Sequence, residues 1–409
     1  MPSVVKISFA AALCSLALWF AGDVSAEVGR QEVAHPFPES AVQGEGHLKK
    51  GIIKPNLSQA ELNSAVLRYY GFWKRKYLKP SRLVRGDYKI AFDHSGATVS
   101  EAMGYGMLIT VMMAGADPHA KEDFDGLDRF RKRYPSDINP AFMAWRIPAN
   151  EKKVKTDSAT DGDMDMALAL LMAHRQWGDD GYLREARVLI KALGESLVRP
   201  DCSLRLGDWD TESSGMILTR PSDFMPTHFR AFGEATGDDL WDKVETHCDD
   251  ILDELQKKYA PATGLIPDFA QFKNGHWQPA HPKALEGPHD GEYSYNACRV
   301  PWRLGWSAAG TGDLRAQQIV RRFMGWVTST VDEPDDFKAG YSLGGKCLRG
   351  ANFDSAAFIS PTGVAAMSTG QQLWCDQTFA YAENQKEGYY EDAINLLCLL
   401  IISGNAWLP

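Results

Sequence analysis

Three carboxylates fall within five positions at Asp161-Gly162-Asp163-Met164-Asp165, directly ahead of an apolar run from Met166 to Ala173. A helix that is apolar all round is buried, so the acids stand at the mouth of a core helix. Asp at a helix start can simply cap open N–H groups and complement the dipole, which accounts for one or two of the three. An EF-hand loop opening at Asp161 would need Glu at its twelfth position, where Met172 stands, so calcium is not expected. A second acid, Glu101, opens another apolar stretch, Ser100-Glu101-Ala102-Met103-Gly104-Tyr105-Gly106-Met107. Its plain reading is a capping Glu, and the two glycines beside it would let a backbone or a ligand approach closely. A third acidic stretch, Leu285-Glu286-Gly287-Pro288-His289-Asp290-Gly291-Glu292, is a loop leading into Tyr293-Ser294-Tyr295-Asn296-Ala297-Cys298-Arg299. Loop acids are usually just solvated, but helix mouths gathered at one end of a fold would bring all three groups over one pocket.

Grouped carboxylates can divide general-acid and general-base work. Tryptophans beside polar groups, at Trp145-Arg146, Asp208-Trp209-Asp210 and Trp302-Arg303, add flat apolar faces next to charged edges. Sugar rings want both, although core packing is the plain reading of any single Trp. Other catalytic templates are missing: there is no P-loop, His-Glu-x-x-His or Rossmann fingerprint, and the His residues lack ligand spacing.

The elements that must position these acids are helical. Ser58-Gln59-Ala60-Glu61 forms a capping box that opens a helix to about Tyr77. Apolar and amphipathic segments then alternate: 99–113 with a helix to about 133, 161–177 with 181–198, 223–235 with 239–258, 295–309 with 314–330, and 358–369 with 371–385, before 388–403. Gly178-Asp179, Gly237-Asp238 and Gly312-Asp313 punctuate them as helix stop and next N-cap. Each unit pairs an inner apolar helix with an outer wet one, with little strand pattern. A closed ring of such hairpins is an all-α (α/α)6 barrel of six inner and six outer helices.

Residues 1–26 read as a secretory signal, with Lys6, an apolar Ile7-to-Ala21 stretch and Val24-Ser25-Ala26 as the cleavage site. Residues 27–409 then form a single domain in an exported protein, either secreted or periplasmic. Losing Lys6 and Asp23 leaves the net charge at −9, which disfavours nucleic acid and anionic membrane as partners and suits a neutral or cationic polymer. Six cysteines remain, for which at most one or two disulfides are expected, with Cys298 buried and free.

Several motifs resemble glycoside hydrolase family 8. They are Ala159-Thr160-Asp161-Gly162-Asp163 with Met166-Ala167, Ala173 and Trp177; Ser100-Glu101 with Gly104-Tyr105-Gly106-Met107; Leu206-Gly207-Asp208-Trp209; Arg220-Pro221-Ser222-Asp223-Phe224-Met225; and Arg299-Val300-Pro301-Trp302-Arg303. The resemblance spans nearly the whole mature chain. It implies an (α/α)6 barrel and inverting, endo-acting cleavage of β-linked glucan or glucosamine polymers; a monomer with no cofactor or metal is expected. Glu101 matches the proton donor and Asp161 the carboxylate that supports the distorted sugar. Trp145, Trp209, Asp223, Tyr295, Asn296 and Arg299 match substrate-binding positions. Many members carry an Asp base where Asn296 stands here, and an amide cannot take a proton from water. A subgroup of chitosanases and β-glucanases shares this Asn and uses a Glu ten residues upstream, where this chain has Glu286. Glu292 is a second candidate base, and an introduced Asp-to-Asn change at 296 would also explain the amide. The subgroup and the negative charge point to chitosan ahead of cellulose or mixed-linkage β-glucan. Two readings of other classes are a glycan-binding barrel that has lost its base and a polysaccharide lyase, the latter disfavoured by the acidic balance.

Overall fold

The computed structural model describes residues 33–38, 48–152, 155–211 and 215–409; the expected signal segment lies outside the described residues. Twelve α-helices run in order among them: α1 (Gln59–Tyr77), α2 (Ser100–Met112), α3 (Ala120–Arg133), α4 (Thr160–Trp177), α5 (Asp180–Leu197), α6 (Pro226–Thr236), α7 (Leu240–Tyr259), α8 (Val300–Thr311), α9 (Leu314–Thr330), α10 (Ala356–Thr369), α11 (Gln372–Ala382) and α12 (Tyr389–Ile402). Burial separates two kinds. In α2 every residue but Glu101 is buried, and α10 is buried from Ala356 to Ser368. Outer α5 buries only Tyr182, Ala186, Leu189, Ile190, Ala192, Leu193 and Leu197, essentially one helical face.

The inner helices close a ring, each packing on the next: α2 on α4, then α6, α8, α10, α12 and back to α2. Five outer helices follow their inner partners in sequence, whereas the sixth pair joins the two ends of the chain, α1 on α12. Buried Asp392 clasps that seam, accepting from Tyr69 Oη at 3.1 Å and Lys76 Nζ at 3.0 Å. The barrel is as expected, and so are its helix stops, although α7 takes Asp239 rather than Asp238 as its N-cap. Ser58 and Glu61 form both halves of the capping box, and Gly178, Gly237 and Gly312 end their helices in the left-handed region. Two inner helices start later than expected: Pro226 and Pro301 sit in the first turns of α6 and α8, each preceded by a short 3-10 segment, Pro221–Asp223 and Ala297–Arg299.

Seven short strands, which the helical pattern did not announce, sit among the loops. β1 (Leu78–Pro80) pairs with β2 (Tyr88–Ile90) between α1 and α2. β3 (Thr98–Val99) pairs with β4 (Arg146–Ile147), and Ser100 N donates to Trp145 O at 2.9 Å, so Trp145 is pinned beside the mouth of α2. β5 (Ile217–Thr219), β6 (Ala270–Lys273) and β7 (His276–Pro279) form one antiparallel sheet ahead of the 280–296 loop. Cys202, Cys248, Cys298, Cys347, Cys375 and Cys398 are all free thiols, Cys298 buried among them.

Helices α2 and α4 approach backbone to backbone. A Cβ on Gly162 would lie 2.5 Å from the Ser100 carbonyl carbon and 2.7 Å from Glu101 N; one on Gly104 would lie 2.7 Å from the Asp165 Cβ. These glycines serve packing rather than ligand approach, and they set Glu101 beside Asp161. Gly162→Ala is therefore expected to cost about 1–3 kcal/mol in urea-induced unfolding, as overpacked cores do, and to reduce turnover with it. Unchanged stability and turnover would show that this spacing is not critical.

Candidate active site

The N-terminal ends of the inner helices share one side of the ring, and a groove of about 490 Å³ opens over them. Glu101, Trp145, Asp157, Asp161, Trp209, Arg220 and Glu286 line it. Beneath its floor the Arg299 guanidinium is only 1 % exposed. A buried cation must be paired, and Arg299 is paired on every side. Nη1 donates to Asp161 Oδ2 at 2.8 Å and Glu101 Oε2 at 3.0 Å; Nη2 donates to Ser222 Oγ at 2.8 Å and Asn296 Oδ1 at 2.9 Å. The Asn296 amide then donates from Nδ2 to Glu286 Oε2 at 2.9 Å. One hydrogen-bonded chain thus runs Glu101–Arg299–Asn296–Glu286. Asn296 has both a donor and an acceptor, and an aspartate in its place would set a second negative charge against Glu286.

This arrangement divides the acids. Burial pushes the Glu101 carboxyl up to about 7, with Arg299 opposing and Asp161 adding to the rise. Burial also acts on Asp161, but Arg220 and Arg299 more than offset it and hold that carboxyl well below the usual carboxylate range. Its Oδ1 lies 3.0 Å from Arg220 Nη2 and accepts from Gly162 N at 2.9 Å. Near neutral pH the site therefore pairs a carboxylic acid with a fixed carboxylate, a separation that lets one fold supply both forms.

The three aspartates of the opening motif have three separate tasks, and none is the N-cap, which is Ala159. Asp163 turns away from the groove and accepts Met143 N at 2.9 Å, and burial pushes its carboxyl well above the usual range. Asp165, one turn below Asp161, takes both Nη atoms of Arg303 at 2.8 and 2.7 Å, and His228 Nε2 at 2.8 Å. Asp161 and Asp165 are spaced i, i+4, as are Arg299 and Arg303, so two parallel rungs cross the barrel from α4 to α8.

The expected sugar contacts divide. Trp145 and Trp209 are 41 % and 38 % exposed on the groove wall, and Tyr295 is 40 % exposed beside Asn296. Trp302 instead is fully buried, with Arg303 stacked 4.0 Å from its ring centroid, so this Trp–Arg pair belongs to the core. Asp208 and Asp210, flanking Trp209, are occupied by Ser158 N at 2.8 Å and Arg199 Nη2 at 2.6 Å. Asp223 is buried and accepts Arg220 Nε at 2.9 Å, so it holds Arg220 rather than facing the groove. Glu292 accepts Leu343 N at 2.9 Å and lines a different cavity, which removes it as a rival to Glu286.

Sequence reasoning passed over Arg220 and Tyr389, whose Oη donates to Glu101 Oε1 at 3.3 Å. Tyr389 is the first residue of the last inner helix. Reading every inner-helix mouth as part of the site would have found it.

The family model for glycosyl hydrolases family 8 matches residues 60–404. A beta-glucanase of Niallia circulans is 40% identical over 381 residues, covering 91% of each chain. An endoglucanase of Bacillus sp. (strain KSM-330) is 39% identical over 393 residues, covering 91% of this chain and 82% of that one. The apo structure of the beta-1,3-1,4-glucanase from Paenibacillus sp. X4 has a TM-score of 0.87 at 39% identity and covers 92% of this chain and 100% of that one.

The lower rung gives a stability test. Arg303→Met leaves Asp165 buried without its cation and is expected to lose about 3–5 kcal/mol of unfolding free energy. Adding Asp165→Leu should recover more than half of that loss. A single-variant loss below about 1 kcal/mol would show that the rung carries little.

Proposed function

The chain belongs to glycosyl hydrolases family 8, and from that premise we propose that it hydrolyses internal bonds of a β-linked glucan with inversion at the anomeric carbon. The observation that carries this reading is the chain Glu101–Arg299–Asn296–Glu286, which sets two carboxyl groups of different character on one groove. Glu101, protonated, gives its proton to the glycosidic oxygen as that bond breaks. Glu286, as the carboxylate, takes a proton from the water that attacks the opposite face of the sugar. Asp161, kept ionised by its two arginines, stabilises the positive charge that builds on the ring. Trp145 and Trp209 offer faces on which neighbouring sugars stack. Asn296 is then a relay that orients the base, not the remnant of a lost one.

The relatives named for glucans favour glucan as substrate, and mixed-linkage β-glucan heads the choice because the solved structure of a glucanase named for it shares the fold at a TM-score of 0.87. Chitosan is the second reading. It is supported by Asp157 and Glu286, which add acidic groups to the groove beyond Glu101 and the arginine-paired Asp161 and suit protonated amines. We also propose export, from the signal-like residues 1–26; none of the helices among the described residues is long and apolar enough to cross a membrane.

Reducing-end release from mixed-linkage β-glucan, carboxymethylcellulose and chitosan tests this directly. Release from the mixed-linkage glucan is expected, with Glu101→Gln and Glu286→Gln each reducing it by about 10³-fold or more while the folded state persists. Release from chitosan alone would move the substrate to glucosamine polymers. No release from any of the three would return the reading to a glycan-binding barrel.

A further inference from the structure

Glu286 is an exposed side chain on a loop that has neither helix nor strand to fix it. A general base must nonetheless be held to within a fraction of an ångström of its water. Asn296 fixes one carboxylate oxygen, so the question becomes what fixes the backbone beneath Glu286 and Asn296. Two aspartates that take no part in the chemistry above lie under those segments, and both are buried, Asp290 at 3 % and Asp268 at 6 % exposure.

Asp290 cages the turn that carries the base. Its Oδ2 accepts Leu285 N at 2.7 Å and Glu286 N at 3.1 Å, and its Oδ1 accepts Gly287 N at 2.8 Å. Asp268 does the same under the relay: its Oδ1 alone accepts Ser294 N at 3.0 Å, Asn296 N at 3.1 Å and Ala297 N at 2.7 Å. The two cages are joined through the backbone, since Phe269 N donates to Asp290 O at 2.8 Å and Asp268 N to Glu292 O at 2.7 Å. Between them Gly291 passes so close to the 280 strand end that a Cβ there would lie 2.1 Å from Ala280 O. Charge-assisted bonds from three consecutive N–H groups to one carboxylate are among the stronger local restraints available to a loop.

We propose that Asp290 and Asp268 are positioning residues for the general base, Asp290 fixing the backbone of Glu286 and Asp268 fixing that of Asn296. The role assigned to them rests on Glu286 being the base. Their modes of bonding differ, and so do the expected effects of substitution. Asp290 uses both oxygens, so Asp290→Asn exchanges an acceptor for a donor aimed at backbone N–H groups. Asp268 uses one oxygen, which Asp268→Asn can retain and Asp268→Ala cannot.

The test measures kcat and KM on the glucan hydrolysed best, in the full-length protein, with circular dichroism to establish folding. Asp290→Asn and Asp268→Ala are expected to lower kcat by about 10–100-fold with KM within about twofold, whereas Asp268→Asn stays within about threefold of the parent. Introduced into the Glu286→Gln protein, Asp290→Asn is expected to lower the residual rate by less than about twofold, because the group it positions is already gone. Equal loss in both backgrounds would overturn the assignment in favour of a purely structural role. So would full kcat in folded Asp290→Asn. If Asp290→Asn does not fold, the Asp268→Ala and Asp268→Asn pair decides by the same comparison. Near-normal turnover by Glu286→Gln alone would instead show that the base itself is misassigned, a failure separate from that of the cages.

Discussion

A guanidinium with no access to water cannot stand alone, and the burial of Arg299 is the constraint on which the site depends. Moving such a charge out of water costs several kcal/mol unless good hydrogen bonds offset it, so the residues around it are not free to vary independently. Arg299 comes from the turn before α8, Asp161 from α4, Glu101 from α2, and Asn296 from the turn behind Arg299 itself. Satisfying one cation therefore fixes three inner-helix mouths relative to one another. The acids are also separated, because burial raises Glu101 while Asp161 is paired directly with both Arg299 and Arg220.

The barrel makes such a cluster possible. Helices that bury every face must be surrounded, and six of them closing a ring leave their first turns, with open N–H groups, at one end. Polar and charged residues collect there because open N–H groups and facing charges can satisfy them while they are buried. One turn lower, Asp165 and Arg303 repeat the pairing of Asp161 and Arg299 with no opening to the groove. The lower rung holds α4 and α8 in register, and the upper rung faces the substrate.

The helices and the acids were legible in the sequence because both obey local rules. Apolar and amphipathic segments alternate, glycines stop helices, and Glu101, Asp161 and Glu286 stand out by type and setting. What could not be read was direction. Asp163 and Asp165 have the same residue type and the same helix as Asp161, yet a two-residue step turns Asp163 to Met143 and a four-residue step carries Asp165 deeper. The strands were also invisible, since pairs of two to four residues across long loops carry no periodicity. Asp268 and Asp290 gave no signal for a related reason: their partners are backbone N–H groups, which leave no mark in a sequence. Trp302 shows the opposite error, a tryptophan beside an arginine that looked like a sugar contact and proved to be core.

The central claim is that burial keeps Glu101 protonated near neutral pH against the pull of Arg299, while Arg220 and Arg299 together keep Asp161 ionised. The pH dependence of kcat/KM tests it most directly, since that profile reports the acid and base of the free enzyme. A Glu101 carboxyl raised to about 7 must lose its proton as pH rises through that value, so the alkaline limb should fall with an apparent pKa of about 7. An alkaline limb already falling near the ordinary glutamate value of about 4.3, or activity still undiminished at about pH 9, would contradict it.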